Sequence, residues 1–173
     1  YRTIWYDKSS ESVKIINQNK LPFKLEIITL KKIDDVIKAI NDMQVRGAPL
    51  IGATAAYGIY LAFRELKSKS KTIEAADKIK KTRPTAINLF WAVNKMLHKI
   101  NETPDLSETE QILFHEAEKI CENDIKQCKQ IGLNGLELIK SLSEKGRKKV
   151  NILTHCNAGW LATIDWGTAT SPI

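Results

Sequence analysis

The sequence lacks most of what marks the common specialised classes of protein. It holds no run of about 18 apolar residues, the least that spans a bilayer, so no membrane span or membrane partner is expected. Its three cysteines, Cys121, Cys128 and Cys156, include no CxxC pair. An odd, unpatterned set argues against a disulfide framework and a structural zinc site. It fits a reducing cytoplasm. Neither G-x-G-x-x-G nor a P-loop occurs, so a nucleotide cofactor has no support. Basic clusters interleaved with stacking aromatics are missing too, which leaves a nucleic-acid partner unsupported. An initiator Met and a signal-peptide pattern are absent at Tyr1, and the chain stops at Ser171-Pro172-Ile173 as a new element begins. Both ends are therefore expected to lie inside a longer protein.

What is present is the material of a globular domain: 43% apolar residues, enough to bury a core. The formal net charge is +7. It reads as a Lys-rich solvated surface, and it is compatible with attraction of a phosphorylated small substrate. Residues 1–30 read as three short strands, Thr3 to Tyr6, Ser12 to Ile16 and Leu25 to Leu30, bounded by polar turns. From residue 33 the apolar period becomes helical. Ile33, Val36, Ile37, Ile40 and Met43 mark one face. Helices are then expected from Pro49 to Lys67, Thr72 to Lys81, Pro84 to Ile100 and Ser107 to Gly132, with a further or continuing one from Asn134 to Leu142. Trp91 reads as core, as do Cys121 and Cys128, which share a helical face. Gly146-Arg147-Lys148-Lys149 reads as a turn, Val150 to Thr154 as a strand, and Trp160 as the start of a helix. The expected fold class is α+β. A small antiparallel sheet (1–30) and a helical bundle (31–148) are followed by the first strand–loop–helix of an incomplete Rossmann-like domain (149–173).

Three segments have the chemistry of a site. In Arg46-Gly47-Ala48-Pro49, proline suits a first helical turn and glycine a tight approach to it. The unpaired N–H groups of such a turn attract anions, and an arginine beside it adds a fork for phosphate. A plain helix–helix turn with a solvated arginine uses the same residues. Thr82-Arg83-Pro84-Thr85 repeats the pattern, and two such starts can converge on one phosphate or be unrelated turns. Thr154-His155-Cys156-Asn157-Ala158-Gly159 places a cysteine where a strand opens into a loop, the usual ligand position of α/β sheets. Cys156 there is an activated thiol or a small packed side chain.

Taken in order, these segments resemble one family. Met43-Gln44-Val45-Arg46-Gly47-Ala48-Pro49 with Ala55-Ala56-Tyr57-Gly58, Thr82-Arg83-Pro84-Thr85-Ala86 with Asn88-Leu89, and Ile152 to Gly159 with Gly167-Thr168-Ala169 resemble methylthioribose-1-phosphate isomerases. The fold is shared with regulatory subunits of the translation factor that exchanges guanine nucleotide on initiation factor 2, and with ribose-1,5-bisphosphate isomerase. The resemblance implies an aldose–ketose isomerase of methionine salvage acting on a sugar phosphate. It further implies a homodimer, no nucleotide or metal cofactor, and a second, Rossmann-like domain. Residue by residue, it implies that Arg46, Gly47, Ala48 and Arg83 contact substrate, chiefly its phosphate, and that Cys156 is catalytic. An acid–base aspartate is implied beyond Ile173, and the 173-residue chain alone is expected to be inactive.

Overall fold

The computed structural model describes residues 1–144 and 149–173. Alternation of apolar and polar side chains builds the sheet. Strand β1 (Ile4–Asp7) pairs antiparallel with β2 (Ser12–Ile16), with Ile4 opposite Ile15 and Tyr6 opposite Val13. Strand β3 (Ile27–Leu30) pairs with the other edge of β2, Val13 opposite Leu30. Ile4, Val13, Ile15 and Leu30 face the core and are fully buried. On the opposite face Lys14 donates to the Thr29 hydroxyl at 2.7 Å. The turn between β1 and β2 is tied by the Asp7 carboxylate, which accepts from the Ser9 N–H at 3.0 Å and from the Ser9 and Ser10 hydroxyls at 2.7 and 2.6 Å.

Helix α1 (Ile33–Asn41) starts where the Asp35 carboxylate accepts the N–H groups of Lys31 and Lys32 at 2.9 and 3.1 Å. It buries Ile33, Val36, Ala39 and Ile40. Met43, expected on that face, lies beyond the helix at φ +56 and is 43% exposed. The chain has already turned away, with the Met43 N–H on the Ile40 carbonyl.

Helix α2 (Ala48–Leu66) is the axis of the bundle: every residue from Leu50 to Phe63 is buried. A helix apolar all round belongs inside a core. Its small residues set how near its neighbours come. Gly58 faces Val36 of α1 and Ile79 of α3 (Lys69–Thr82), and Gly52 faces the Asn88 backbone of α4 (Ile87–Glu102). The Ser68 hydroxyl caps α3 by accepting the Lys71 N–H at 3.4 Å.

Helix α5 (Leu106–Glu144) is one continuous helix of 39 residues. Its first half packs on α2 and α4 through Leu113, Ala117, Ile120 and Cys121. Cys121 and Cys128 are both buried. Lys95 of α4 pairs with the nearly buried Glu116 of α5 at 2.7 Å. Trp91, expected in the core, is 52% exposed on α4, with Lys95 over its ring at 5.3 Å.

Two further expectations change, and one falls outside the described residues. Helix α4 begins at Ile87, not Pro84, because residues 83–86 form a turn closed by the Ala86 N–H on the Arg83 carbonyl at 3.0 Å. The turn at Gly146-Arg147-Lys148-Lys149, and with it the boundary at 148, lies outside the described residues apart from Lys149. Residues 150–154, expected as a strand, have no regular secondary structure, and Asn151 to Thr154 are exposed. A parallel strand is held by ladder partners on its edges, and among the described residues none pairs with this stretch. After a 3₁₀ turn at Trp160–Ala162, residues 163–173 form a strap along α5. Among the described residues no helix is long and apolar enough to cross a membrane.

Candidate functional site

The first motif sits where α1 hands over to α2. Gly47, at φ +87, is the residue before the helix, and Pro49 stands in its first turn. Arg46 is exposed. Its guanidinium donates to Asn19 Oδ1 at 2.9 Å and to the Met43 carbonyl at 3.3 Å. Asn19 is itself fixed, donating from Nδ2 to the Asp42 carbonyl at 2.7 Å. The fork is thus oriented by the loop before β3 while lying in solvent beside the open N-terminus of α2, which is the arrangement that attracts an anion.

The second motif lies on the α3–α4 connection. Arg83 comes directly after the last residue of α3, outside helical backbone, and is half-buried. Thr82 caps no helix start; its hydroxyl donates back to the Ile79 carbonyl at 2.6 Å. The first turns of α4 line a cleft of about 400 Å³: Ile87, Asn88 and Trp91 face Pro49 and Gly52 of α2, with Ile120 and Gln127 of α5 forming part of the wall. The starts of α2 and α4 therefore open onto one cleft. The side chains of Arg46, Arg83 and Cys156 are not among those lining it.

The third motif is exposed and strained in backbone. Cys156 adopts φ +68 and Gly159 φ +98, and the Ala158 N–H returns to the Cys156 carbonyl at 3.1 Å. Residues 161–164, by contrast, are firmly fixed. Gln18 Nε2 donates to the Leu161 carbonyl at 2.6 Å. Ala162 lies against Gly47. The Thr3 N–H donates to the Ile164 carbonyl at 2.9 Å, and the Ile164 N–H donates to Asp124 at 3.1 Å. The structure thereby joins the first and third motifs through Gly47 and Ala162.

Sequence reasoning missed the residues that make this junction: Thr3, Gln18, Asp124 and Thr163. One signal was present. Asp124, Cys128, Gly132 and Gly135 recur at helical spacing, and the strap packs on that stripe, with the Ser171 hydroxyl on the Cys128 carbonyl at 2.7 Å and Pro172 against Gly135. Burial pushes the Asp124 carboxyl up from its ordinary value. Burial first, and the Asp124 charge second, push the Cys128 thiol up to about 11. Burial is also the main cause raising the Cys121 thiol and the Tyr57 hydroxyl, which sit with Glu118 in the α2–α5 contact.

Comparison with known proteins adds kinship to this geometry. The family described as Initiation factor 2 subunit family matches residues 44–168. A methylthioribose-1-phosphate isomerase of Escherichia coli O45:K1 (strain S88 / ExPEC) is 48% identical over all of this chain and 47% of its own length. That of Methylorubrum populi is 47% identical with the same coverage. The crystal structure of translation initiation factor eIF-2B subunit delta from A. fulgidus superposes with a TM-score of 0.84 at 38% identity, over 99% of this chain and 49% of that one. The 5-methylthioribose 1-phosphate isomerase from Pyrococcus horikoshii OT3 gives 0.82 at 38%, over 98% and 47%. The chain spans about half the length of the curated relatives it matches.

Proposed function

We propose, on the premise that this chain belongs to the Initiation factor 2 subunit family, that it is the N-terminal part of an aldose–ketose isomerase converting 5-methylthioribose 1-phosphate to 5-methylthioribulose 1-phosphate. The observation that carries this reading is the 48% identity, over the whole chain, to a relative named for that substrate.

In this reading Arg46, Gly47 and Ala48 at the start of α2, with Arg83 before α4, hold the phosphate. Cys156 assists at the reacting carbons. The phosphate on C1 blocks ring opening by loss of a hydroxyl proton there. The ring oxygen must be protonated as its bond to C1 breaks, and a hydrogen must pass from C2 to C1. C1 is reduced as C2 is oxidised, so the reaction balances within the substrate and needs no external electron carrier. A dry pocket with an acid–base group suits such a step. A Rossmann-like domain that begins at residue 149 and carries the Cys156 loop supplies that group, and the whole protein works as a cytoplasmic homodimer in methionine salvage.

The A. fulgidus likeness supports a second reading, a regulatory subunit of the initiation-factor exchange complex. Ketose formation from purified substrate by the full-length protein decides between them. Turnover supports the isomerase. No turnover by a folded full-length protein, with specific binding to initiation factor 2, supports the regulatory subunit.

A further inference from the structure

Asp124 reaches from the middle of α5 into the segment that comes after Cys156. One carboxylate oxygen accepts the Ile164 N–H at 3.1 Å, while the Ile164 carbonyl accepts the Thr3 N–H at 2.9 Å. Ile164 is therefore held from both sides and is fully buried. Thr163 beside it is fully buried as well. The Thr163 hydroxyl accepts the Gly167 N–H at 3.2 Å and donates to the Trp160 carbonyl at 3.1 Å. Two residues upstream of Ile164, Ala162 lies against Gly47 at the start of α2. The exposed loop 156–159 thus springs from a base whose position is set by Asp124, Thr3 and Gly47.

A carboxylate at mid-helix is a poor local choice. Aspartate is a weak helix former, and burial opposes its charge. The compensation comes first from a hydrogen bond to a buried backbone donor, the Ile164 N–H, and then from the Cys128 thiol. An Ile164 N–H left without an acceptor is itself costly, so the bond strongly determines where this segment lies.

From these contacts we infer that Asp124 is a positioning residue: by accepting the Ile164 N–H it fixes the base of the Cys156 loop against the Arg46-Gly47-Ala48 helix start. Its kinetic consequence rests on the isomerase reading; its geometric consequence does not. A displacement of about 1 Å in a reacting group is enough to cost on the order of a hundredfold in rate. Loosening the base moves Cys156 directly and leaves the phosphate-holding arginines on their own elements.

The test uses the full-length protein and two readouts, steady-state kinetics on 5-methylthioribose 1-phosphate and hydrogen exchange of the Ile164 amide. Asp124→Ala is expected to lower kcat roughly ten- to a hundredfold, to change KM far less, and to speed exchange at Ile164. Asp124→Asn, which keeps an acceptor oxygen at the same reach, is expected to restore most of both. Should the alanine protein fail to fold, Asp124→Ser, whose hydroxyl is one bond shorter, carries the same expectation. An alanine or serine variant with wild-type kcat overturns the inference, as does an asparagine variant as impaired as the alanine one. A wild-type protein without turnover removes the isomerase reading, and the exchange comparison still decides whether Asp124 holds the segment.

Discussion

The α-carbon of Gly47 faces the carbonyl oxygen and α-carbon of Ala162 so closely that a β-carbon at Gly47 would overlap both. Gly47 also sits at φ +87 and ψ 137, a region closed to most L side chains. Gly47→Ala is therefore expected to destabilise the chain by about 1–3 kcal/mol from backbone strain, with further loss as Ala162 is pushed aside. Urea unfolding of both proteins measures it. A variant as stable as the parent means the two segments part at no cost.

The arginines and the cysteine are expected to fail in different ways. Arg46→Ala or Arg83→Ala in the full-length protein should mainly weaken substrate binding, by roughly 1.5–3 kcal/mol for one charge-assisted contact. Lysine should recover only part, lacking the planar fork. Cys156→Ser should act on turnover more than on binding, because the thiol is lost while the size is kept. Steady-state kinetics with direct titration of substrate separates the two. Near-normal turnover in Cys156→Ser would remove the cysteine from the chemistry.

Thiol chemistry should distinguish the three cysteines in the 173-residue chain. Cys156 is exposed, whereas Cys121 and Cys128 are buried. Raising the Cys128 thiol from 9.0 to about 11 cuts its thiolate fraction near pH 8 by about a hundredfold. A chromogenic disulfide reagent should therefore titrate one thiol rapidly and the other two only on unfolding. Three equally fast thiols would contradict the packing of α5.

Asp7 predicts an acid dependence. The Ser10 hydroxyl, then the Ser9 hydroxyl, hold its carboxyl down from 3.8 to about 2. A depressed carboxylate contributes stability that is present above its unfolded value and is lost as pH falls. The Asp7 contribution should thus be complete above pH 3.8 and vanish as pH drops through about 2. Asp7→Asn should flatten the stability–pH curve across that window. Carbon-detected NMR titration of the Asp7 carboxyl gives the midpoint directly, and a value near 4 would sink the prediction.

Local patterns made much of this legible from sequence. Val13 and Ile15 alternating with Lys14 gave β2, and Gly47 before Pro49 gave the start of α2 to within a residue. Pro84 misled because its fixed φ serves a turn as well as a first helical turn, and here the turn took it. Trp91 misled because apolar character does not reveal which side of an amphipathic helix meets a partner. The junction of the first and third motifs escaped for a deeper reason. Thr3, Gln18, Gly47 and Asp124 meet residues 161–164 through backbone groups, and backbone groups carry no sequence signature. Only the spacing of Asp124, Cys128, Gly132 and Gly135 hinted that something lay close along α5.

The Thr3–Ile164 hydrogen bond also has a consequence for biosynthesis. It ties the edge of the first strand to a residue made near the end of this chain. A ribosome adding about 5–20 residues per second reaches Ile164 roughly 8–30 s after Thr3. Through that interval β1, β2 and α2 can associate among themselves, but the Thr3 N–H has only water to bond and the face of α5 around Asp124 stays uncovered. Closing so long a loop is also entropically the slowest kind of contact to form. The nascent chain can therefore hold an assembled bundle while the segment after Cys156 is still free, until the Thr3–Ile164 latch is set.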